Sequence, residues 1–204
     1  MVTAALHIPV LLDRCLELLR PAIENKPALV IDATLGLGGH TEALLNEHPQ
    51  LTVIGIDRDP AALELAKSRL AHFGERFQAH FGTYDEIDQI AKPWSVDGIL
   101  MDLGVSSMQL DQADRGFSYS QDSDLDMRMD QTRGETAADL LAELDERELA
   151  RIFKVYGEER FAMPIARKIV AQRSQQPITT STQLNKIVSS VVPVVPGKQS
   201  GHPA

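Results

Sequence analysis

The run Asp32-Ala-Thr-Leu-Gly-Leu-Gly-Gly-His40 puts three glycines between an apolar stretch, Ala28–Ile31, and a helix-like run, Thr41–Asn46. Glycines at a strand-to-helix turn let backbone N–H groups come close to a ligand, and they weaken regular structure elsewhere. The turn therefore constrains the chain to a strand–loop–helix unit. The flanking sequence repeats that unit. Leu51–Asp57, Phe77–Gly82 and Val96–Leu103 read as further strands. Helical patterns at Val10–Leu19, Thr41–Glu47, Pro60–Phe73 and Tyr84–Ala91 surround and separate the strands. Pro60 sits at a first-turn position, where its missing N–H costs nothing. Strands alternating with helices of this length predict βαβ units and a doubly wound parallel sheet.

The pattern changes after the fourth strand. Residues 104–134 are rich in Asp, Gly, Ser and Arg and lack a long periodic segment, which predicts a long loop. From Thr136 the periodicity is helical only. Asp145 and Glu148 have the spacing of a capping box, and Gly157 marks the expected stop of that helix. A second helix is expected over Glu159–Ser174, with Pro164 marking a later start or a bend. A third begins near Ser181 and ends before Pro193. No internal repeat is visible, and Val191–Lys198 reads as an extended tail. The boundary between a sheet part, 1–111, and a loop-plus-helical part, 112–204, follows from this shift.

Bulk properties narrow the class. A chain of 204 residues buries roughly 70% of its unfolded surface, enough for a sizeable core. No apolar run approaches the ~20 residues that cross a bilayer, and the N-terminus lacks a signal-peptide pattern. One cysteine, Cys15, excludes an intramolecular disulfide and a cysteine-based zinc site; it reads as a small core residue of the first helix. These features predict a cytoplasmic protein. The net charge of −9 is unevenly spread. Residues 1–159 hold 14 basic and 29 acidic residues, whereas 160–204 hold six basic residues and no acid. Such asymmetry hints at a basic binding surface near the end of the chain.

Two ligand classes suit the glycine turn. A dinucleotide fingerprint, G-x-G-x-x-G, is met by Gly36 and Gly38 but fails at Thr41. The other arrangement places an acid four residues before the first glycine, Asp32-x-x-x-Gly36-x-Gly38, as in S-adenosylmethionine sites. There Asp32 could receive the ammonium of the methionine part. Asp57, at the end of the second strand, could accept hydrogen bonds from ribose hydroxyls. A calcium loop at Asp122-Ser-Asp124-Leu-Asp126 is excluded, because position 6 is Met127 rather than Gly and position 12 is Arg133 rather than Glu. No metal is expected. Arg115, Arg128 and Arg133 should pair with the loop's carboxylates or with phosphates of a partner.

HIPVLL, DATLGLGGHT, GIDRDP, ILMDLGVSSMQLD, RGFSY, LDMRMD and YGEERFA, in this order, resemble the bacterial RsmH (MraW) family of 16S ribosomal RNA (cytosine-N4)-methyltransferases. The resemblance implies a class I methyltransferase, Rossmann-like sheet with an inserted all-helical substrate domain after the fourth strand. In the family the chain returns from the insertion to complete the sheet. The resemblance thus implies a C-terminally truncated form with the last sheet strands missing. It also implies S-adenosylmethionine as cofactor and 16S ribosomal RNA in the small ribosomal subunit as partner. Gly39, His40 and Thr41 would line the cofactor, with Asp57 on the ribose, Tyr84 against the adenine, and Asp102 and Gln109 at the remaining contacts.

For methyl transfer to an exocyclic amine, Asp102 is the candidate to touch both cofactor and target, with Ser106 or Ser107 as a weaker polar contact. DNA amino-methyltransferases carry Pro-Pro-aromatic at the corresponding strand end. Here the sequence is Asp102-Leu-Gly-Val-Ser-Ser107. The inserted helices should contact RNA, with Arg160, Arg167 and Lys168 on the polar side of the helix from Glu159. The competing readings are a small-molecule or DNA methyltransferase, an NAD-dependent oxidoreductase disfavoured by Thr41, and a truncated scaffold that binds cofactor or ribosome without turnover. The oligomeric state is left open, a homodimer included.

Overall fold

A computed structural model describes residues 9–118 and 122–193. His7 and Ile8 of the first motif, Tyr119 of RGFSY, most of the Val191–Lys198 tail and the Ser107 side chain fall outside the described positions. The chain divides into two compact units, 1–104 and 105–204. The sequence reading had put its own boundary after Asp111.

The first unit is a four-stranded, wholly parallel sheet in the order β3-β2-β1-β4. The strands are β1 (Ala28–Asp32), β2 (Leu51–Asp57), β3 (Phe77–Phe81) and β4 (Gly98–Leu100). Helices α1 (Leu12–Ile23), α2 (Gly39–Glu47), α3 (Pro60–Leu70) and α4 (Ile87–Ile90) accompany them. In β1, Ala28 and Val30 pack into a cluster with Leu16, Ile23, Leu44 and Leu45, while Ile31 and Ala33 pack with Ile56 and the partly buried Ile87 and Ile90. Successive side chains leave opposite faces of a strand, so burial on both faces makes β1 read as an uninterrupted apolar run. From β1 the chain winds outward through β2 to β3, then crosses back to set β4 on the other side of β1. The strand order reverses at β1/β4, and open parallel sheets bind ligands outside the carboxyl ends of strands at such a reversal.

Several elements differ from expectation for identifiable reasons. Helix α1 runs to Ile23 because Leu12, Leu16, Leu19 and Ile23 form one stripe, and Ile23 is buried. Pro21 is tolerated in its last turn. Cys15 is half-buried rather than a core residue. Helix α3 stops at Leu70; a 3-10 segment, Ala71–Arg76, follows and breaks at Gly74. The expected eight-residue strand Val96–Leu103 is reduced to Gly98–Leu100. Its ladder with β1 is closed at one end by the Asp97 amide donating to the Leu29 carbonyl (2.8 Å) and at the other by the Ala33 amide donating to the Leu100 carbonyl (2.9 Å). Beyond that point the Asp102 amide donates to a side chain, Thr34 Oγ1, instead of to a strand. Within this sheet β4 is an edge, and Ile99, Met101 and Leu103 are exposed along it.

The second unit holds α5 (Ser107–Asp111), α6 (Ala137–Glu143), α7 (Glu146–Val155), α8 (Ala162–Arg173) and α9 (Ser181–Ser189). Its core gathers Leu125, Leu141, Leu149, Ile165, Ala166, Ile169, Ile178 and Ile187. Thr136, Asp145 and Thr180 are the N-caps of α6, α7 and α9, each side chain accepting from the N3 backbone amide. The Asp145 box is one-sided: Glu148 turns to Arg151 (2.6 Å) instead of reaching back. The left-handed residue after α7 is Glu158, not Gly157. Helix α8 takes the later of the two starts that Pro164 allowed, so the proline falls in the first turn, where no intrahelical donor is required. The stretch expected as a long loop, 104–134, holds α5 and a 3-10 turn, Ala113–Arg115, and its other described residues are irregular but organised. Arg115 donates to the Met129 carbonyl (2.7 Å), Arg128 grips Asp126 (2.7 Å), and Leu125 donates to the Thr179 carbonyl (2.9 Å).

Gly38 and Gly74 offer a paired test. Both have positive φ, +76° and +57°. A Cβ on Gly38 would lie 2.7 Å from the buried Leu70 Cδ1, whereas one on Gly74 would meet nothing within 4 Å. Gly74→Ala should therefore cost about 1–3 kcal/mol of backbone strain alone, since its φ +57°, ψ −132° lie outside the left-handed helical well that Gly38 occupies at φ +76°, ψ +20°. Gly38→Ala should add about 1–3 kcal/mol of overpacking. Urea unfolding measures both losses, and a loss at Gly38 no larger than its left-handed strain of about 1–2 kcal/mol would contradict its packing against Leu70.

Candidate cofactor site at the carboxyl edge of the sheet

Asp32 ends β1 with 1% of its surface exposed. Its Oδ2 accepts from the Thr41 hydroxyl (2.7 Å) and its Oδ1 from the Thr34 amide (3.3 Å). Thr41 is fully buried on α2, so the carboxylate ties the strand tip to the helix that follows the glycine turn. Thr34 extends the chain of bonds: its hydroxyl accepts from the Asp102 amide at 2.7 Å. Asp32 thus reaches the tips of β1 and β4 through its neighbours. Buried in this way, it offers no free face to an ammonium group, which alters the role expected from the sequence. Asp102, in contrast, is exposed at the end of β4.

Asp57 ends β2, half-buried, with one oxygen accepting from the Gly36 amide (2.7 Å) and the other from the Asp59 amide (2.8 Å). Each carboxylate oxygen has two lone pairs, so both retain capacity for a hydroxyl donor. Burial raises the Asp57 carboxyl above its ordinary value, and the amides of Asp59 and Gly36 oppose the rise. Asp59 itself caps α3 by accepting from Ala61 at 3.0 Å. Tyr84 follows β3 in a short 3-10 turn capped by Thr83, with its ring about half exposed.

The three glycines divide by function. Gly36 has φ +52°, and an added Cβ would approach only the Thr34 carbonyl at 4.0 Å. Its backbone face is open beside Asp57. Gly38 faces Leu70, and at Gly39 a Cβ would collide with Pro9 Cγ at 2.5 Å. Those two glycines serve the protein's own packing. His40 is buried, and its Nε2 lies 3.1 Å from the Val10 carbonyl. It fastens the segment before α1 across the start of α2.

The first unit therefore brings Asp32, Gly36, Gly38, Gly39, His40, Thr41, Asp57, Tyr84 and Asp102 to one edge of its sheet. Ser106 and Gln109 belong to the second unit, where they form the reciprocal box that starts α5: Gln109 Oε1 accepts from the Ser106 amide (3.0 Å) and Ser106 Oγ from the Gln109 amide (3.3 Å). Thr34 and Asp59 were not singled out by sequence reasoning. An acid directly before a helix-starting proline is a recognisable signal for Asp59. Thr34 has none, since its partner lies 68 residues away.

Of the residues expected to touch RNA, Arg160 precedes α8 and lies outside the helix, which removes it from the predicted stripe. Arg167 and Lys168 are on α8 and exposed; Arg167 pairs with Glu146 at 3.3 Å. Among the described residues, no group of three or more His, Cys, Asp or Glu could hold a metal ion, and no helix is long and apolar enough to cross a membrane.

The family model for the MraW methylase family matches residues 4–204. The chain belongs to the MraW methylase family. Its relatives include the ribosomal RNA small subunit methyltransferase H of Beutenbergia cavernae, 54% identical over 98% of this chain and 61% of the relative. Those of Thermobifida fusca, 50% identical over 98% of this chain and 62% of the relative, and of Salinispora tropica, 51% identical over 97% and 55%, are similar. The chain spans about three fifths of the length of these curated relatives. The motifs that carry the resemblance fall at the places the fold uses. GIDRDP runs from the second strand into the cap of α3, and DATLGLGGHT forms the turn between Asp32 and Thr41.

Burial also raises the Asp32 carboxyl, while the Thr41 hydroxyl and His40 pull the other way. A carboxyl with a raised folded-state pKa holds more protons folded than unfolded above the ordinary value near 3.8, so its contribution to stability falls as pH rises through that window. Asp32→Asn removes the ionisation. Its stability relative to the unmodified chain should shift in the variant's favour as pH is raised from about 4 to about 7, read as urea midpoints at several pH values. A difference independent of pH would contradict a buried charge at this position.

Proposed function

We propose that the first unit binds S-adenosylmethionine at the carboxyl edge of its sheet, and that the whole protein methylates the N4 amine of a cytosine in 16S ribosomal RNA. The observation that carries the cofactor is the open backbone at Gly36 beside a carboxylate, Asp57, with lone pairs to spare. Such an open face suits the approach of a ribose diol. When bound, S-adenosylmethionine supplies a methyl group on a positively charged sulfur. Asp57 would accept from the ribose hydroxyls, the Tyr84 ring would lie against the adenine, and the Gly36–Gly39 backbone would follow the ligand's contour. Asp102, exposed and with its backbone amide held by Thr34, would face the ligand's ammonium or the target amine.

The exocyclic nitrogen of cytosine is a poor nucleophile because its lone pair is delocalised. The protein's contribution is chiefly orientation, holding the amine in line with the bond to be broken, with a carboxylate accepting an amine N–H as the nitrogen becomes tetrahedral. The target base must be unpaired or flipped out to reach such a site. Residues 1–111 would serve the cofactor and 112–204 the RNA, with Ser106 and Gln109 near their junction in sequence. The substrate class rests on the names of the relatives, which act on small-subunit ribosomal RNA, and the setting would be the cytoplasm. The exposed apolar edge of β4 favours a second reading for this chain by itself, binding of cofactor or ribosome without turnover.

Tritiated S-adenosylmethionine and small-subunit particles lacking the modification separate the readings. Label recovered in N4-methylcytidine supports transfer; calorimetric binding of the cofactor with no label supports binding alone; no binding rejects both. Asp57→Ala should lower cofactor affinity about tenfold or more, the value of charge-assisted hydrogen bonds, while RNA affinity stays unchanged. Equal loss of both affinities would contradict the role given to Asp57.

A further inference from the structure

Helices α8 and α9 enclose a concave groove lined by Lys168, Gln172, Gln176, Gln183, Lys186 and Ser190, with Ile178 and Ile187 among its walls. We infer that this groove is a docking site for the sugar–phosphate backbone of RNA, an inference that rests on the ribosomal RNA reading above. The sequence builds it from two periodic faces. Lys168 and Gln172 are one helical turn apart on α8, and Gln183, Lys186 and Ser190 share the i, i+3, i+7 face of α9. The apolar faces of the same helices are turned into the core at Ile165, Ile169 and Ile187.

The chemistry of the lining selects the partner. It contains two ammonium groups, three carboxamides and a hydroxyl, and no carboxylate. The carboxamides of Gln172 and Gln176 can donate to phosphate oxygens and accept from ribose hydroxyls, whereas Gln183 Oε1 already accepts from the Thr179 and Thr180 amides and the Ser190 hydroxyl donates to the Ile187 carbonyl. The whole stretch from 160 to 204 lacks acid, so nothing nearby in sequence neutralises the lysines. The other basic residues of that stretch are engaged or lie elsewhere. Arg167 pairs with Glu146, Arg173 donates to the carbonyls of Leu141 (2.6 Å) and Leu144 (2.7 Å), Arg160 precedes α8, and Lys198 is outside the described residues. Among the described residues, Lys168 donates to Ser190 Oγ (2.5 Å), a neutral partner that leaves its charge uncompensated, and no carboxylate pairs with Lys186. An apolar or basic ligand would gain little in such a groove. A polyanion with regularly spaced charges gains at both lysines and releases its counterions.

The test is the salt dependence of binding between the 204-residue chain and a small-subunit ribosomal RNA transcript. Both lysines are exposed, so the double variant Lys168→Gln, Lys186→Gln should fold. It should bind the RNA about tenfold or more weakly, with the slope of log K against log salt reduced by about 1–2. An equal-charge control, Lys67→Gln with Lys92→Gln in the first unit, should leave the slope unchanged. An unaltered slope in the groove variant, or the same change in the control, overturns the proposal. Loss of polyglutamate binding with RNA binding intact overturns it in favour of an acidic protein partner. The readout needs no methyl transfer: absence of label with a groove-dependent slope would sink the methylation reading alone, and label with an unchanged slope would sink the groove alone.

Discussion

The candidate site depends on a carboxylate that never reaches solvent. Asp32 spends its oxygens on Thr41 and Thr34, and Thr34 in turn holds the Asp102 amide. One buried charge thereby fixes three pieces of backbone: the tip of β1, the start of α2 and the departure of the chain from β4. Burying an ionised group is unfavourable unless it is hydrogen-bonded; Asp32 accepts from one hydroxyl and one amide, which offset part of a burial cost that still raises its carboxyl. Asp57 is built on a similar plan but left half-open, its oxygens shared between the protein's amides and whatever lies above Gly36. Adjacent strands thus end in two aspartates in different settings, one enclosed by the turn and the other half-open beside Gly36.

This division explains why the glycine turn contains more glycine than a ligand alone would need. Only Gly36 has open space where a side chain would go. Gly38 gives way to Leu70 and Gly39 to Pro9, so helix α2 can sit close to both α3 and the segment before α1. The closeness positions the ligand-facing backbone indirectly. His40 adds a hydrogen bond to Val10 across the same contact. Close packing and an open backbone face are therefore supplied by neighbouring residues of one motif.

Much of the first unit was legible because its signals are local. Continuous apolar runs located β1 and β2 to within a residue, and Asp145 announced the start of α7 through short-range capping. Long-range errors have one origin, partners far away in sequence. Residues 96–103 look like a full strand, yet only three of them find ladder partners, because β1 turns away at Thr34. Asp32 looks like a ligand contact until Thr41 and Thr34 occupy it. Arg160 shares a helical period with Arg167, but the helix begins after it, which periodicity alone cannot detect when a proline follows closely.

Net charge is a poor guide to partners when the acids are already committed. In the second unit Asp126 and Asp130 are held by arginines, Glu148 by Arg151, and Asp139 and Asp145 serve as helix-start acceptors. Arg128 holds the Asp126 carboxyl below its ordinary range, so that acid is charged but matched. Beyond residue 160 the balance reverses, with cations and no acids to match them. Screening limits the reach of exposed charges to about 8 Å at physiological ionic strength. A phosphate arriving between α8 and α9 would respond to Lys168 and Lys186 far more than to carboxylates beyond that distance. An acidic protein can present a cationic groove to a polyanion on these terms, and the overall negative charge then limits unspecific adhesion elsewhere on the surface.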